Sequence, residues 1–226
     1  MATSKQSIEQ FIAEQVEKWK TQTKAHLPVI TISTEPGSGG RIVARRVAER
    51  LDIDLFDRDI VKGVAESVRL SDQVIKSIEQ ERLSGIKDFI SVLVDDKYLY
   101  PGIYLQHLIK VVTVIGKHGH AVIVGRGANF IIPPDERLAV RIVAPLINRM
   151  ENVAKTFGVT EEEARRRILN REKRRASFIR QSFKADVAQA SNYDLVINTQ
   201  HLDISAAVGA IVGCLVGIKD RQLKTL

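Results

Sequence analysis

Ile30-Thr-Ile-Ser33 is a β-branched run that enters the glycine-rich turn Gly37-Ser-Gly-Gly40, and a helical pattern leaves it through Val43, Ala44, Val47 and Ala48. Such a layout cradles phosphate. Glycines permit torsions and close approach that a side chain forbids, and the first turn of a helix offers unpaired amides and a partial positive charge to an anion. Gly37, Ser38, Gly39, Gly40 and Arg41 are therefore the candidate phosphate ligands. The loop departs from the pattern G-x-x-x-x-G-K-[ST], whose lysine reaches the β- and γ-phosphates and whose hydroxyl holds Mg²⁺. Counted from the helix register, Gly40 stands at the lysine position and Ile42 at the hydroxyl position. Arg41 offers a cation next door, but its side chain leaves the helix about 100° round from its neighbour.

A second constellation lies far along the chain. Arg165, Arg166, Arg167, Arg171, Lys173, Arg174, Arg175, Arg180 and Lys184 crowd into one segment whose only acid is Glu172. Arg171 and Arg175 are one helical turn apart on one face, and guanidinium forks suit the charge that develops on a transferring phosphoryl group. The cluster fits an arginine-lined phosphate site at least as well as a duplex-binding face. Only Phe178 and Phe183 stand nearby to stack on single strands, so no nucleic-acid partner is expected. His118 and His120 flank Gly119 and lack the i, i+4 spacing of a helical zinc pair, so no protein-built metal site is expected.

The elements that position these residues can be read from periodicity. A stripe of Ile8, Phe11, Ile12, Val16 and Trp19 predicts an amphipathic helix over about 7–24, docked on the body or used as a homodimer seam. Apolar runs predict strands at 29–33, 54–57, 121–124, 138–143 and 195–197, with helices between them. The stretch from Ser71 to about His118 reads as a helical insertion broken at Pro101-Gly102, and Tyr98, Tyr100 and Tyr104 around the break serve packing or base stacking. Thr160 is an N-cap for the arginine helix, and an apolar helix over about 204–218 ends the pattern. Strands alternating with helices imply an α/β fold with a parallel sheet and ligands beyond the strands' carboxyl ends. The glycine loop, Asp57-Arg58, Gly125-Arg126 and Asn198-Thr199 all fall on that rim.

The 226 residues suffice for one substantial core, and the net charge of +7 suits a polyanionic partner. No apolar run approaches the roughly 18 to 20 residues that span a bilayer. With no signal-peptide pattern, a cytoplasmic location without a membrane partner is the expectation. The single cysteine, Cys214, reads as core filler.

Four segments together resemble the cytidylate kinase-like branch of the P-loop nucleoside monophosphate kinases. They are Ile30 to Ala44 with its glycine loop, Leu55-Phe-Asp-Arg58, Val122-Ile-Val-Gly-Arg-Gly-Ala128, and the arginine helix followed by Tyr193-Asp-Leu-Val-Ile-Asn-Thr199. The resemblance implies a three-layer P-loop fold around a central parallel five-stranded sheet. It also implies a helical monophosphate-binding insertion at about 70–118 and an arginine-rich helical lid at about 160–186, all within a kinase domain over 28–226 that follows an N-terminal helical extension over 1–27. It further implies transfer of the ATP γ-phosphoryl group to a pyrimidine nucleoside monophosphate such as CMP or dCMP, with Mg²⁺ arriving on the nucleotide. Arg171, Arg175 and Arg180 become the catalytic lid arginines. Asp57, Arg58 and Arg126 become acceptor-binding residues, with Asp57 or Asp59 alternatively orienting Mg²⁺-bound water. Where cytidylate kinases have an aspartate after that last arginine, this chain has Gly127. Three alternatives to the kinase stand: a nucleotide-binding regulator without transfer activity, a kinase for another small acceptor, and an RNA-binding protein using the basic helix.

Overall fold

A computed structural model describes residues 5–21, 28–76 and 103–224. Five strands form one parallel sheet in the order β2-β3-β1-β4-β5. They are β1 (Val29–Thr34), β2 (Asp54–Phe56), β3 (Ala121–Val124), β4 (Arg137–Val143) and β5 (Leu195–Asn198). Each lies within a residue or so of its predicted place. The central strand β1 pairs Ile30 with Val122 on one side and with Leu138 on the other.

Alternation along β1 divides the core into two layers. Ile30 and Ile32 join Val43, Ala44 and Val47 of α2 (Gly40–Leu51) and Ala207, Val208 and Ile211 of α9 (Ile204–Lys224). Cys214 packs on the edge of this cluster. Val29, from the other face, joins α3 (Arg58–Ala65), α4 (Val68–Lys76) and α5 (Ile103–His118). The helix α4 thus begins at Val68, three residues before the predicted helical start at Ser71, and Tyr98, Tyr100 and the break at Pro101-Gly102 lie outside the described residues. Tyr104 packs on the apolar cluster, where burial raises its phenol above its ordinary range and the charge of Arg126 opposes that rise.

The N-terminal helix α1 (Lys5–Thr21) spends its apolar stripe on the body of the same chain. Ile8, Ile12 and Trp19 are buried, and the Trp19 ring stacks 4.1 Å from His118. Lys18 and Gln15 both donate to Asp54 of β2, at 2.7 and 3.2 Å. The stripe that motivated a homodimer seam is thus covered within the chain.

A four-residue helix, α6 (Ala128–Ile131), follows the Gly125-Arg126-Gly127 turn and was not apparent in the periodicity. Two helices then form a hairpin, α7 (Leu146–Phe157) and α8 (Glu161–Phe183). Gly158 ends α7 in the left-handed region, and Thr160 caps α8 by accepting from the amide of Glu163. Three glutamates in the first turn of α8 complement the helix dipole.

Candidate active site

The glycine loop bridges β1 and α2 at the carboxyl edge of the sheet. Gly37 and Gly39 sit at φ of +86° and +75°, and a Cβ on Gly37 would lie 2.6 Å from the carbonyl oxygen of Arg149. Both torsion and space therefore demand glycine. The Ser38 hydroxyl turns inward and donates to the carbonyl of Glu35 at 2.8 Å, while the amides of Gly40 and Arg41 precede the first helical bonds, from Ile42 and Val43 to Gly39. These are the free amides of a helix start.

The missing lysine has a steric cause. A Cβ on Gly40 would lie 2.4 Å from Cγ2 and 2.7 Å from Cβ of Thr34. Counting back along the phosphate-loop pattern from Gly40, Thr34 occupies the place of the pattern's first glycine, and Arg41, not Ile42 as the helix register suggested, occupies that of its hydroxyl. A branched side chain in the first position has filled the space that the lysine stem would use. Arg41 does not stand in for it here: its guanidinium pairs with Asp57 at 3.0 Å and Asp59 at 3.4 Å, away from the loop.

Asp57, expected at the acceptor site, is held by partners within the chain. One of its oxygens caps α3 by accepting from the amides of Asp59 and Ile60, and the other accepts from Arg41. Its neighbours Arg58 and Asp59 line a cavity of about 540 Å³ beneath α8. The cavity gathers Arg58, Lys62, Arg126, Arg171, Arg174 and Arg175 around Asp59, the one acid among its described lining residues. The structure thus brings together Arg58, Arg126, Arg171 and Arg175 from three separate segments. Arg180, expected beside them, is exposed and does not line the cavity.

Arg126 adopts φ +56° between Gly125 and Gly127, both also at positive φ. A non-glycine residue in that region costs of order 1 kcal/mol. The turn aims its side chain across the rim, where Nε donates to the carbonyl of Arg58 at 3.4 Å. Gly127 is explained by α8: a Cβ there would lie 2.2 Å from the Phe183 ring, which stacks on Phe130 and meets Phe178 edge-on. The ring fills the volume in which an aspartate would begin.

Arg175 is half-buried, and among the described residues its guanidinium has no hydrogen bond or ion pair. Burial first, then the positive charges of Arg141 and Arg58, pull it down to about 10, well below the ordinary arginine range. Arg171 is lowered in the same way, by lost hydration and then by Arg58 and Arg41. Cations crowded together without partners raise the local potential for an anion.

Sequence reasoning missed the network that ties loop to lid. Glu35 accepts from Arg141 at 3.3 Å and from the amide of Ala144 at 3.2 Å, and it pairs with Arg149 at 3.4 Å. Arg149 also donates to Glu172 on α8 at 2.6 Å and to the carbonyl of Ala144 at 2.8 Å. Both arginines are buried. Their signal in the sequence is a charge inside an otherwise apolar strand and on the inner face of a helix.

This sheet order, with its glycine loop between β1 and α2 and its arginine-bearing helix over the rim, defines a P-loop kinase fold. The chain belongs to the cytidylate kinase-like family, whose model matches residues 29–201. The cytidylate kinase of Methanopyrus kandleri is 31% identical over 180 residues, 76% of this chain and 84% of that protein. That of Ignicoccus hospitalis is 27% identical over 185 residues, covering 82% and 97%. Among solved structures, an uncharacterized protein from Eubacterium ventriosum superposes with a TM-score of 0.68 at 20% identity, over 84% of this chain and 99% of that one, which shows the fold. Among the described residues, no helix is long and apolar enough to cross a membrane.

Proposed function

We propose that the protein is an ATP-dependent nucleoside monophosphate kinase that moves the γ-phosphoryl group to a pyrimidine nucleoside monophosphate such as CMP or dCMP. The observation that carries this reading is the unpartnered Arg175, held with Arg171 and Arg126 over a cavity lined by Thr31 to Ser33 of β1, the strand that leads into the glycine loop. The free amides of α2 and the positive-φ glycines suit the nucleotide phosphates. Mg²⁺ finds a poorer fit. No hydroxyl follows Gly40, Ser38 donates inward, Asp57 is spent on α3 and Arg41, and no cluster of three ligating side chains exists among the described residues. The metal belongs to this reaction as a companion of the nucleotide rather than as a resident of the chain.

ATP when bound supplies the phosphoryl group, and the protein supplies position and charge. Loop amides orient the phosphate chain, Arg126 and Arg58 hold the acceptor phosphate, and Arg171 and Arg175 stabilise charge on the transferring oxygens. The buried Arg149 links Glu172 of α8 to Glu35 of the loop and so keeps donor and lid in register. The likeness to archaeal cytidylate kinases supports the pyrimidine acceptor. A cytoplasmic setting and small nucleotide partners follow from the reading.

The test is a coupled ADP-release assay with ATP and Mg²⁺ across CMP, dCMP, UMP, AMP and GMP, with a no-acceptor control. ADP release that depends on CMP or dCMP is expected. Silence across the panel from protein that binds ATP favours the second reading, a nucleotide-binding regulator, which the filled lysine site at Gly40 motivates.

A further inference from the structure

The cavity under α8 carries a second kind of polar group, distinct from its cations. Thr31 and Asn129 line it, are 2% and 7% exposed, and hold atoms with no hydrogen-bond partner: Thr31 Oγ1 and Asn129 Nδ2. Of the described side chains with such orphaned buried atoms, these alone belong to the cavity lining. Native folds rarely leave buried polar groups unpaired, because the lost hydration is not recovered. Two orphans on residues that line one cavity point to a group that arrives from outside.

Their positions are built in by the sheet. Thr31 and Ser33 share a face of β1, opposite Ile30 and Ile32, and Ser33 already bonds Arg141 at 3.3 Å and Tyr193 at 3.4 Å. Thr31 pairs in register with Ile123, two residues deeper than the strand's rim at Ser33. Asn129 lies on α6, three residues beyond Arg126, and its own carbonyl is held by Arg137 at 2.9 Å. The cations thus surround the rim while the two neutral groups sit at the floor.

Building on the kinase reading, we infer that Thr31 and Asn129 select the acceptor by pairing with an uncharged part of it that both donates and accepts hydrogen bonds. A hydroxyl donates and accepts, and a carboxamide presents both functions side by side. The matching chemistry is a sugar hydroxyl or the amide-like edge of a pyrimidine. Inorganic phosphate and apolar phosphate esters chiefly accept hydrogen bonds and are drawn to the cations, so they leave the accepting side of the Thr31 hydroxyl unused.

The experiment is titration calorimetry on the full chain without ATP, using CMP, ribose 5-phosphate and inorganic phosphate, with wild type, Thr31→Val and Asn129→Leu, alongside ligand-free melting curves. Each variant is expected to weaken CMP by about tenfold, the worth of one good hydrogen bond. Phosphate binding should be unchanged. Because no native bond is lost, ligand-free melting should stay level or rise. Equal weakening of ribose 5-phosphate assigns the pair to sugar hydroxyls, and weakening of CMP alone assigns it to the base edge. Unchanged CMP affinity in a folded variant overturns the inference, as does a drop of several degrees in melting of Thr31→Val. If wild type binds none of the three probes, the acceptor-site reading itself fails. If it binds phosphate as tightly as CMP, that reading survives and the inference falls.

Discussion

Replacing Gly40 with lysine restores the letter of the phosphate-loop pattern, and the structure predicts that it damages the protein. Gly40 is not at positive φ, so torsion does not forbid a side chain; space does. An added Cβ would sit 2.4 Å from Thr34 Cγ2, 2.7 Å from Thr34 Cβ and 3.2 Å from Ile142 Cβ, where carbon atoms settle at about 3.5–4.0 Å. Thr34 and Ile142 are buried in paired strands, and neither can yield an ångström freely. Overpacking of this kind costs about 1–3 kcal/mol, and one kcal/mol moves melting by about 2–4 °C in a chain of this size. Gly40→Lys should therefore melt up to about 10 °C early without binding ATP more tightly. Thr34→Gly removes the obstructing atoms, so the double variant should recover most of that loss and gain ATP affinity. Neighbouring sites that share one space are expected to be non-additive in this way. The assay is a double-mutant cycle read by calorimetric melting and by ATP titration. A Gly40→Lys single variant that melts like wild type would refute the steric argument.

Three further outcomes follow from the same contacts. Arg175→Met keeps the apolar stem and removes a disfavoured charge: the guanidinium held at about 10 is penalised in full below that pH, and the penalty fades as pH rises above it toward the ordinary arginine range. Its ceiling is about 3 kcal/mol, and water around this half-buried group brings it nearer about 1, so ligand-free melting at pH 7 should rise by roughly 2–4 °C while turnover falls at least tenfold. A melting temperature that drops would contradict the assignment. Gly127→Asp drives a side chain into the Phe183 ring from a backbone at φ +70°, and calorimetry should show a loss of about 3 kcal/mol or more. Trp19→Ala empties the seat between α1, Phe56 and His118 and should cost roughly 3 kcal/mol in denaturant melts; an unchanged midpoint would mean that α1 does not stabilise the body.

The sheet was legible because its strands are nearly continuous apolar runs punctuated by glycine or acid at their carboxyl ends, as in Ala121 to Gly125. The rim was legible for the same reason, since parallel order carries every such end to one edge. What the sequence did not disclose depends on which strands are neighbours. Glu35 meets Arg141 across 106 residues because β4 lies beside β1, and nothing local to either residue announces that adjacency. Arg41 and Asp57 were each given a ligand-binding role from their own segments, yet they face each other and satisfy one another. A local reading assigns a charged residue to a ligand before its intramolecular partners can be counted.

The lid arginines show how that count could begin in the sequence. The buried positions of α8 are Ala164, Ile168, Ile179 and Ser182, a stripe at helical spacing. Continuing the stripe from Ile168 by three, four and seven residues reaches Arg171, Glu172 and Arg175, and four more reach Ile179. Three charged residues therefore occupy the inward phase of an otherwise apolar face. Glu172 is answered by Arg149 from α7, whereas Arg171 and Arg175 look into the cavity. The outward members are answered locally, Arg166 and Arg167 by Glu163 and Arg165 by Glu162. Arg180, one residue past Ile179, falls out of phase and outside the cavity, although the family resemblance implied a third lid cation there. Helical phase, more than density of charge, picks out Arg171 and Arg175, although Arg174 reaches the same cavity from outside the stripe, because an inward arginine gives up water before any anion has arrived to replace it.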